Sequence, residues 1–428
     1  MSNHDIKYLK SLQAVRERSQ EVYELAQQGK LQHFAFDAAK LAGVADHVVG
    51  LVKRDYGSID QVPMHGRWRS YQIQTPDGTR DLIAEHVAKW RAADVSQWEC
   101  ARRTIDLFMV SVLIDAGAGS QWHYVDVLGR FARTEGLGLA ALRMFERGVF
   151  SSSPDNPFQV DAAALEQLAD GALAEGFQVT ADNPLLGCEN RAELLRALGR
   201  AMQLAPKYFG QGDGQPARPG FLLDYLSCAE EPRAVAVDDI WEVIIDGLAP
   251  VWPARSATVL DGVPVLGDVW QCDTLGTGPR SLVPFHKLSQ WLTWSLLEVI
   301  TRLAGLTVTG TEQLTGLPEY RNGGLFVDLG VLTLNESDRR RGLQDAGGVP
   351  CFDAGDPVVV EWRAMTVALL DRVAELVRQK CACGNRVEML LSRVLEAGTW
   401  KAGREVAARL RGPSKSPPID IVSDGTLF

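Results

Sequence analysis

The sequence predicts a mainly α-helical protein with a few short strands or irregular segments. Apolar residues recur at helical spacing through most of the chain, as at Val15, Val22 and Leu25. The segment that begins at Gln97 is apolar on nearly every side until glycines interrupt it, which is typical of a central helix. The alternation of strands and helices that marks a dinucleotide-binding fold is absent from the pattern.

Length and composition predict one large globular domain. The chain has 428 residues, of which 46% are hydrophobic and 23% are charged, so it can bury a large core. We predict a single helical domain over 1–428, with an N-terminal lobe over about 1–180 and a second lobe over about 181–428 that carries the site. No solenoid repeat is apparent. The oligomeric state is left open.

Charge and cysteine content favour a small-molecule partner in a reducing compartment. A formal net charge of -10 offers no basic stripe for a phosphate backbone, so the sequence predicts no nucleic-acid partner. The polar start and the lack of a long apolar run predict no secretory signal and no membrane partner. Seven irregularly spaced cysteines are typical of reduced thiols, and we expect a cytoplasmic protein.

The N-terminal part is predicted to be helical, with two loop-like places of interest. Residues 5–52 have the period of two helices. Arg67 and Trp68 then lie in a loop-prone segment, which suits either an anion contact or an ordinary surface loop. Asp115, near the end of the apolar segment, is followed by glycines and by Trp122. This arrangement favours a ligand site, and a salt-bridged or capping Asp115 is the alternative.

The middle of the chain combines further helices with irregular segments. Helical period is found over 163–176, 190–204, 221–226 and 237–248. The Gly- and Pro-rich stretch 210–220 predicts an internal loop. The stretch 257–270 is strand-like or irregular, and it would present Trp270 to a cleft.

A helix is predicted over Val283–Ile300, with Pro284 in its first turn. His286, Lys287 and Gln290 lie near its beginning, where they would meet an anionic ligand with help from free backbone N–H groups. The alternative is an exposed first turn. Trp291 follows on the apolar face.

A turn rich in Gly and Pro places Glu319 at the beginning of another helix. Pro318 favours an extended conformation before it, and Leu325, Phe326 and Leu329 then repeat at helical spacing. The alternative is a loop with solvated charges, since a carboxylate suits any helix N-terminus.

A later helix begins at Val358 and continues to Val377. Glu361 and Arg363 in its first turns either belong to the same cavity as Glu319 or form an ordinary salt-bridged entry to the helix. Spacing alone leaves both alternatives open.

Familiar cofactor and nucleophile motifs are missing. Cys381 and Cys383 with Cys351 lack a second ligand pair at zinc spacing, so we predict no metal site. The glycines around Leu275 are not followed by the lysine of a phosphate loop. No Gly-x-Ser-x-Gly elbow occurs. The sequence therefore predicts no cofactor.

Four segments resemble the uracil catabolism protein 4 family, and the resemblance covers the whole chain. These segments are 111–119, 285–290, 317–332 and 421–428. The family is associated with fungal and bacterial degradation of uracil through a ribosylated urea. The resemblance therefore implies a role in that pathway.

From about residue 183 the order of segments is similar to that of the queuosine salvage nucleosidases, which share the helical architecture of DNA glycosylases. Glu319 corresponds to the aspartate of their Asp-Tyr-Arg motif. His286 replaces a tyrosine of that family, and a double glycine follows the Arg-Asn pair in this chain. The other matching residues are Phe285, Lys287, Gln290, Tyr320, Arg321, Glu361 and Arg363.

This second resemblance implies an N-ribosyl hydrolase that acts on a small ribosylated substrate. Glu319 would stabilise an oxocarbenium-like transition state, and His286 or Asp115 would protonate the leaving group. Lys287 and Arg321 would hold a 5′-phosphate, and Trp122, Trp270 or Trp291 would contact a planar leaving group. The alternatives are a non-catalytic pathway scaffold, a glycosylase-like DNA-binding protein and an amidohydrolase acting on the opened pyrimidine.

Overall fold

The computed structural model is mainly helical, which confirms the predicted fold class. It describes residues 1–76, 78–119, 121–212, 214–227, 234–252, 266–343, 348–382 and 391–422. The helices of these residues are α1 (Asn3–Leu9), α2 (Leu12–Gln27), α3 (Leu41–Tyr56), α4 (Leu82–Ala92), α5 (Gln97–Leu113), α6 (Arg133–Glu146), α7 (Ala162–Glu166), α8 (Ala172–Gly176), α9 (Cys188–Leu204), α10 (Pro206–Phe209), α11 (Leu222–Ser227), α12 (Val237–Gly247), α13 (Lys287–Arg302), α14 (Tyr320–Asp328), α15 (Glu336–Gly342), α16 (Pro357–Lys380), α17 (Leu391–Val394) and α18 (Trp400–Arg411). Within the described ranges, no helix is both long and apolar enough to cross a lipid bilayer.

The strands are short and associate in pairs. They are β1 (Phe34–Phe36), β2 (Gln72–Thr75), β3 (Gly78–Asp81), β4 (His123–Asp126), β5 (Gly129–Ala132), β6 (Ala234–Ala236), β7 (Val269–Gln271), β8 (Leu282–Pro284), β9 (Thr307–Thr309), β10 (Leu332–Leu334), β11 (Cys351–Asp353) and β12 (Asp420–Val422). The antiparallel pairs are β1 with β10, β2 with β3, β4 with β5 and β7 with β8, while β6 with β9 and β11 with β12 are parallel. These strand pairs connect the loops between helices. Among the described residues, they do not join into a larger sheet.

The described residues form two compact units, each assembled from separate stretches of the chain. Within the described ranges, the first unit draws on 1–65, 266–290 and 311–422, and the second draws on 66–252 and 291–310. This division does not test the lobe boundary predicted near residue 180, which stays a prediction.

The first unit is built around the 24-residue helix α16. Every residue from Val358 to Asp371 is buried, because α2, α3 and α14 all pack against this helix. Asp356 caps the helix by accepting the N–H of Val358, and Pro357 occupies the first helical position. Gly323 of α14 lies against this helix, since a Cβ there would lie 2.8 Å from the Trp362 ring. Glycine therefore leaves room for the Trp362 ring against α14.

The second unit contains the predicted all-round apolar helix as α5, with an unbroken buried run from Thr104 to Leu113. Asp106 is fully buried in this run and accepts hydrogen bonds from Arg218 Nε at 2.5 Å and the Gly220 N–H at 2.7 Å. Burial raises the pKa of Asp106 to about 6, although Arg218 opposes the shift. The carboxylate thus fastens the 218–220 segment to α5.

Two local predictions differ from the structure or lie outside it. The helix predicted from Val283 begins at Lys287, because Pro284 pairs in β8 and His286 has a φ of 45°, which interrupts the helical path. The irregular stretch predicted over 257–270 lies outside the described residues as far as residue 265. Its described end contains β7.

Candidate functional site

Glu319 is the N-cap residue of α14, at the helix beginning that the sequence predicted. Its backbone is extended, with φ -106° and ψ 162°, and its carboxylate accepts the backbone N–H groups of Arg321, at 2.8 Å, and Asn322. Gly316 permits the approach of this turn to α16, because a Cβ there would collide with Leu370. The local sequence thus fixes a carboxylate at a helix N-terminus.

Opposing effects act on the charge of Glu319. The residue keeps some exposure to solvent, but its carboxylate is surrounded by protein, and this burial raises its pKa above the ordinary 4.5. The two N–H donors and the positive charges of Lys287 and Arg321 act in the opposite direction without cancelling the effect of burial. The structure therefore holds a carboxylate whose protonation changes closer to neutral pH than usual.

A buried ion pair between Asp268 and Arg363 lies behind this turn in the same unit. The two carboxylate oxygens accept Arg363 Nη1 and Nη2, each at 2.8 Å, and both side chains are almost fully buried. Asp268 also accepts Trp270 Nε1 at 2.6 Å and the Lys287 backbone N–H at 2.9 Å. Burial alone would raise the pKa of Asp268, but Arg363 and these hydrogen bonds hold it well below its ordinary range.

The hairpin of β7 and β8 explains how Asp268 reaches the beginning of α13. Asp268 directly precedes β7, and Phe285 directly follows β8 and donates its N–H to the Asp268 carbonyl at 2.9 Å. Arg363 lies over the Phe285 ring, 4.1 Å from its centre, and its Nε contacts the Pro318 carbonyl at 3.4 Å. One ion pair therefore connects the beginning of α13 with the turn that carries Glu319.

His286 is buried beside this connection. Its Nε2 lies 2.8 Å from the Leu9 carbonyl oxygen, so that nitrogen carries the proton and donates it to Leu9. Burial lowers the pKa of His286, which keeps the ring neutral at pH 7. The imidazole contributes to the packing of α1 against this region.

Two further predicted residues hold neighbouring segments. Glu361 accepts three consecutive backbone N–H groups from residues 32–34 at 2.9–3.1 Å, together with the hydroxyl of Thr274. Gln290 exchanges two hydrogen bonds with Thr315, at 2.6 and 3.0 Å. Both side chains are buried, so they support the site from within the first unit.

Three predicted residues of the first unit keep partial exposure to solvent, namely Lys287, Glu319 and Tyr320. Arg321 is buried, donates to the Lys415 carbonyl at 2.8 Å and lies 4.9 Å from the centre of the Tyr320 ring. Trp270 is buried against Gly355. Among the predicted residues of the first unit, these three are therefore the ones that a ligand can reach from solvent.

The other predicted residues belong to the second unit. Asp115 pairs with Arg67 at 2.8 Å, and both side chains are buried. Trp122 donates its ring N–H to the Phe177 carbonyl at 3.0 Å. Trp291 is a buried residue of α13. Arg67, predicted as an anion contact, therefore has a carboxylate as its partner within its own unit.

Sequence reasoning missed two residues, Asp268 and Asn322. Asp268 follows Gly267, whose φ of 71° suits glycine, but nothing in its neighbourhood points to Arg363. The signal in the sequence was a general one: a guanidinium that becomes buried needs a carboxylate partner. Asn322 lies three residues after the N-cap, at the position where a polar side chain commonly completes a cap. That spacing was readable from the sequence.

Among the described residues, no three His, Cys, Asp or Glu side chains come together in a way that could hold a metal ion. Cys383 of the rejected zinc pattern lies outside them.

Comparison with known proteins places the whole chain in one family. Residues 8–428 match a family model described as a protein of unknown function, DUF1688. Over 429 residues the chain is 40% identical to protein urg3 of Schizosaccharomyces pombe, with all of both chains covered. It is 38% identical over 450 residues to uracil catabolism protein 4 of Lachancea kluyveri, with 100% of this chain and 99% of the relative covered. The chain therefore belongs to the uracil catabolism protein 4 family, the family of the DUF1688 model.

Proposed function

We propose that this protein acts in uracil catabolism by hydrolysing the N-glycosidic bond of a ribosylurea, with or without a 5′-phosphate. The name of the Lachancea kluyveri relative supports the pathway. The observation that carries the reaction is Glu319, a partly exposed residue whose carboxylate is held in one orientation by two backbone N–H groups at the beginning of α14. A fixed negative charge of this kind stabilises the positive charge that grows on the sugar as a ribosyl carbon–nitrogen bond breaks.

The argument rests on where charge develops. As the bond from C1′ to nitrogen breaks, its electron pair goes to the urea nitrogen and positive charge grows on C1′ and the ring oxygen. The Glu319 carboxylate stabilises that charge without reorganising, because its hydrogen bonds to Arg321 and Asn322 are already formed. A water molecule then bonds to C1′ through its oxygen and gives a proton to Glu319.

The leaving nitrogen must take up a proton in the same reaction. In our proposal the Lys287 ammonium supplies it, since Lys287 is a partly exposed cation that acts on Glu319 electrostatically. Glu319 then loses its proton to solvent and Lys287 regains one from it, so the only products are urea and either ribose or, from the phosphorylated substrate, ribose 5′-phosphate. The roles predicted for His286 and Asp115 as donors stay predictions.

Other residues are assigned to binding and support. Tyr320 would pack against the sugar or the urea, because its ring is partly exposed next to Glu319. Gln290, Glu361 and Arg363 would keep the segments around Glu319 in place through their buried hydrogen bonds. The phosphate contact of Lys287 and Arg321 and the stacking roles of Trp122, Trp270 and Trp291 stay predictions.

The test is to incubate the purified protein separately with N-ribosylurea and with its 5′-phosphate, and to measure urea and reducing sugar. We expect equal amounts of urea and sugar from one of the two compounds. A non-catalytic scaffold would release neither. Measuring the shift of Tm with each compound shows whether a sugar site exists at all, because a ligand stabilises the state that binds it.

The rate is expected to depend on pH through Glu319. The proposed mechanism needs the ionised carboxylate, so kcat/KM should fall on the acid side as pH decreases through the pKa of Glu319, which burial raises above the ordinary 4.5. A rate profile measured from pH 4.5 to 8 checks this. Circular dichroism over the same range is the control, because a loss of folded protein would imitate the effect. A rate that is flat down to pH 4.5 would contradict it.

A further inference from the structure

The side-chain oxygen of Asn322 accepts no hydrogen bond from the described residues. Its side chain is completely buried, its Nδ2 donates to the Leu317 carbonyl at 3.1 Å, and its backbone N–H donates to Glu319. The remaining atom, Oδ1, has no hydrogen-bond partner among the described residues. Leaving a buried acceptor unpaired costs the hydration that the atom has lost, so native structures rarely do so without a reason.

An ordinary helix cap would have used this acceptor. Asn322 occupies the third position of α14, where a side chain commonly accepts the N–H of the N-cap residue. Here the Glu319 N–H donates instead to the Leu317 carbonyl at 2.9 Å. The bond from Nδ2 to the same carbonyl also fixes which end of the amide is the oxygen. Oδ1 is thus left without a partner among the described residues, on the residue whose backbone N–H is bonded to the Glu319 carboxylate.

We infer that Asn322 Oδ1 is the second acceptor for the attacking water, an inference that rests on the proposed hydrolysis. A water that attacks C1′ must turn a lone pair toward carbon, so both of its O–H groups point elsewhere. Glu319 accepts one of them and takes that proton, while Asn322 accepts the other, which stays on the new hydroxyl of ribose. Asn322 is then a catalytic residue that contacts the nucleophile and leaves the substrate untouched.

The experiment compares the full-length protein with its Asn322→Ala and Asn322→Leu variants. We expect kcat for ribosylurea to fall about 10- to 100-fold in both, as when one positioned polar group is removed, while KM changes less than about threefold. The unreactive product ribose should shift Tm equally in all three proteins. Asn183→Ala is the matched control, because Asn183 is a buried asparagine of the second unit with partners for both side-chain atoms. It should lose stability and keep kcat.

The outcomes separate the inference from the proposed function. Normal kcat in both Asn322 variants, with an active wild type, overturns the role of Asn322 and leaves the hydrolase intact. An equal loss of kcat in Asn183→Ala would assign the effect to stability and also overturn it. A wild type that releases no urea overturns both proposals. A crystal structure with a water within hydrogen-bond distance of Asn322 Oδ1 and the Glu319 carboxylate supports the inference directly.

Discussion

Replacing Glu319 by Gln is expected to lower kcat for ribosylurea hydrolysis at least about 10³-fold. Gln keeps the length of the side chain and one oxygen that can accept the N–H of Arg321 or Asn322. It removes the negative charge that opposes the growing charge on C1′, and it cannot take a proton from water. The measurement is urea release under saturating substrate.

The same variant is expected to be about as stable as the wild type. The folded-state pKa of Glu319 is raised above its ordinary value, so this group contributes stability below the ordinary value and loses that contribution as pH rises through the folded value. At neutral pH the ionised side chain therefore costs stability. A neutral amide removes that cost but leaves one of the two N–H donors without its acceptor, so we expect the two effects to offset each other and Tm at pH 7.5 to stay close to the wild-type value. Lost activity together with retained stability identifies a functional carboxylate.

A second N-cap carboxylate of the first unit provides the control. Asp356 accepts the Val358 N–H at 3.0 Å at the beginning of α16, as Glu319 does at α14. Asp356→Asn makes the same chemical change, and asparagine is as good an N-cap as aspartate. Its kcat should stay within about twofold of the wild type. Near-normal turnover by Glu319→Gln would remove Glu319 from the mechanism.

The helical fold was predictable because its signals are local. The run of apolar residues in α5 and the Pro-Glu step before α14 each determine their own structure within a few residues of sequence. The beginning of α13 was misplaced by four residues, because the hairpin that contains Pro284 depends on β7, a segment earlier in the chain. The spacing of apolar residues within one segment does not show which distant segment pairs with it.

The candidate site was predictable only in part, for the same physical reason. Glu319 could be found from its turn, and Asn322 could have been found from its spacing to Glu319. Asp268 lies 95 positions before Arg363, and neither residue's neighbourhood indicates the other. The sequence also did not show which of the predicted side chains are exposed to solvent. Gln290 and Glu361 belong to motifs that resemble those of the nucleosidases, and Trp270 was expected at a cleft. The side chains of all three are buried and hydrogen-bonded within the protein.

Replacing Arg363 by Met is expected to destabilise the protein by about 3–5 kcal/mol at pH 7.5, the usual cost of leaving one buried charge without its partner. Met fills a similar volume, so the loss is mainly electrostatic. Asp268 would keep its bonds to Trp270 Nε1 and the Lys287 N–H but would lose both bonds from the guanidinium. Urea denaturation monitored by circular dichroism gives the free energy of unfolding.

The pH dependence of this loss has a definite sign. In the wild type the pKa of Asp268 is held well below its ordinary range, so its contribution to stability is present above the ordinary value and is lost only as pH falls through the folded value. Without Arg363, burial dominates and the carboxyl takes up a proton at higher pH. The difference in unfolding free energy between wild type and variant should therefore shrink between pH 7.5 and pH 4.5. A difference that is constant with pH would show that lost packing, and not the charge, is the cause.

The double variant Asp268→Asn/Arg363→Met separates stability from positioning. Removing both charges leaves no unpaired ion, so most of the free energy lost in Arg363→Met should return. The amide still accepts one hydrogen bond, but the bonds that join Asp268 to Arg363 and Arg363 to Pro318 are gone. If the ion pair positions Lys287 and Glu319 relative to each other, the double variant should fold well and still turn over at least about tenfold more slowly than the wild type. Full recovery of both stability and kcat would limit the ion pair to a structural role, because the site would then keep its geometry without it.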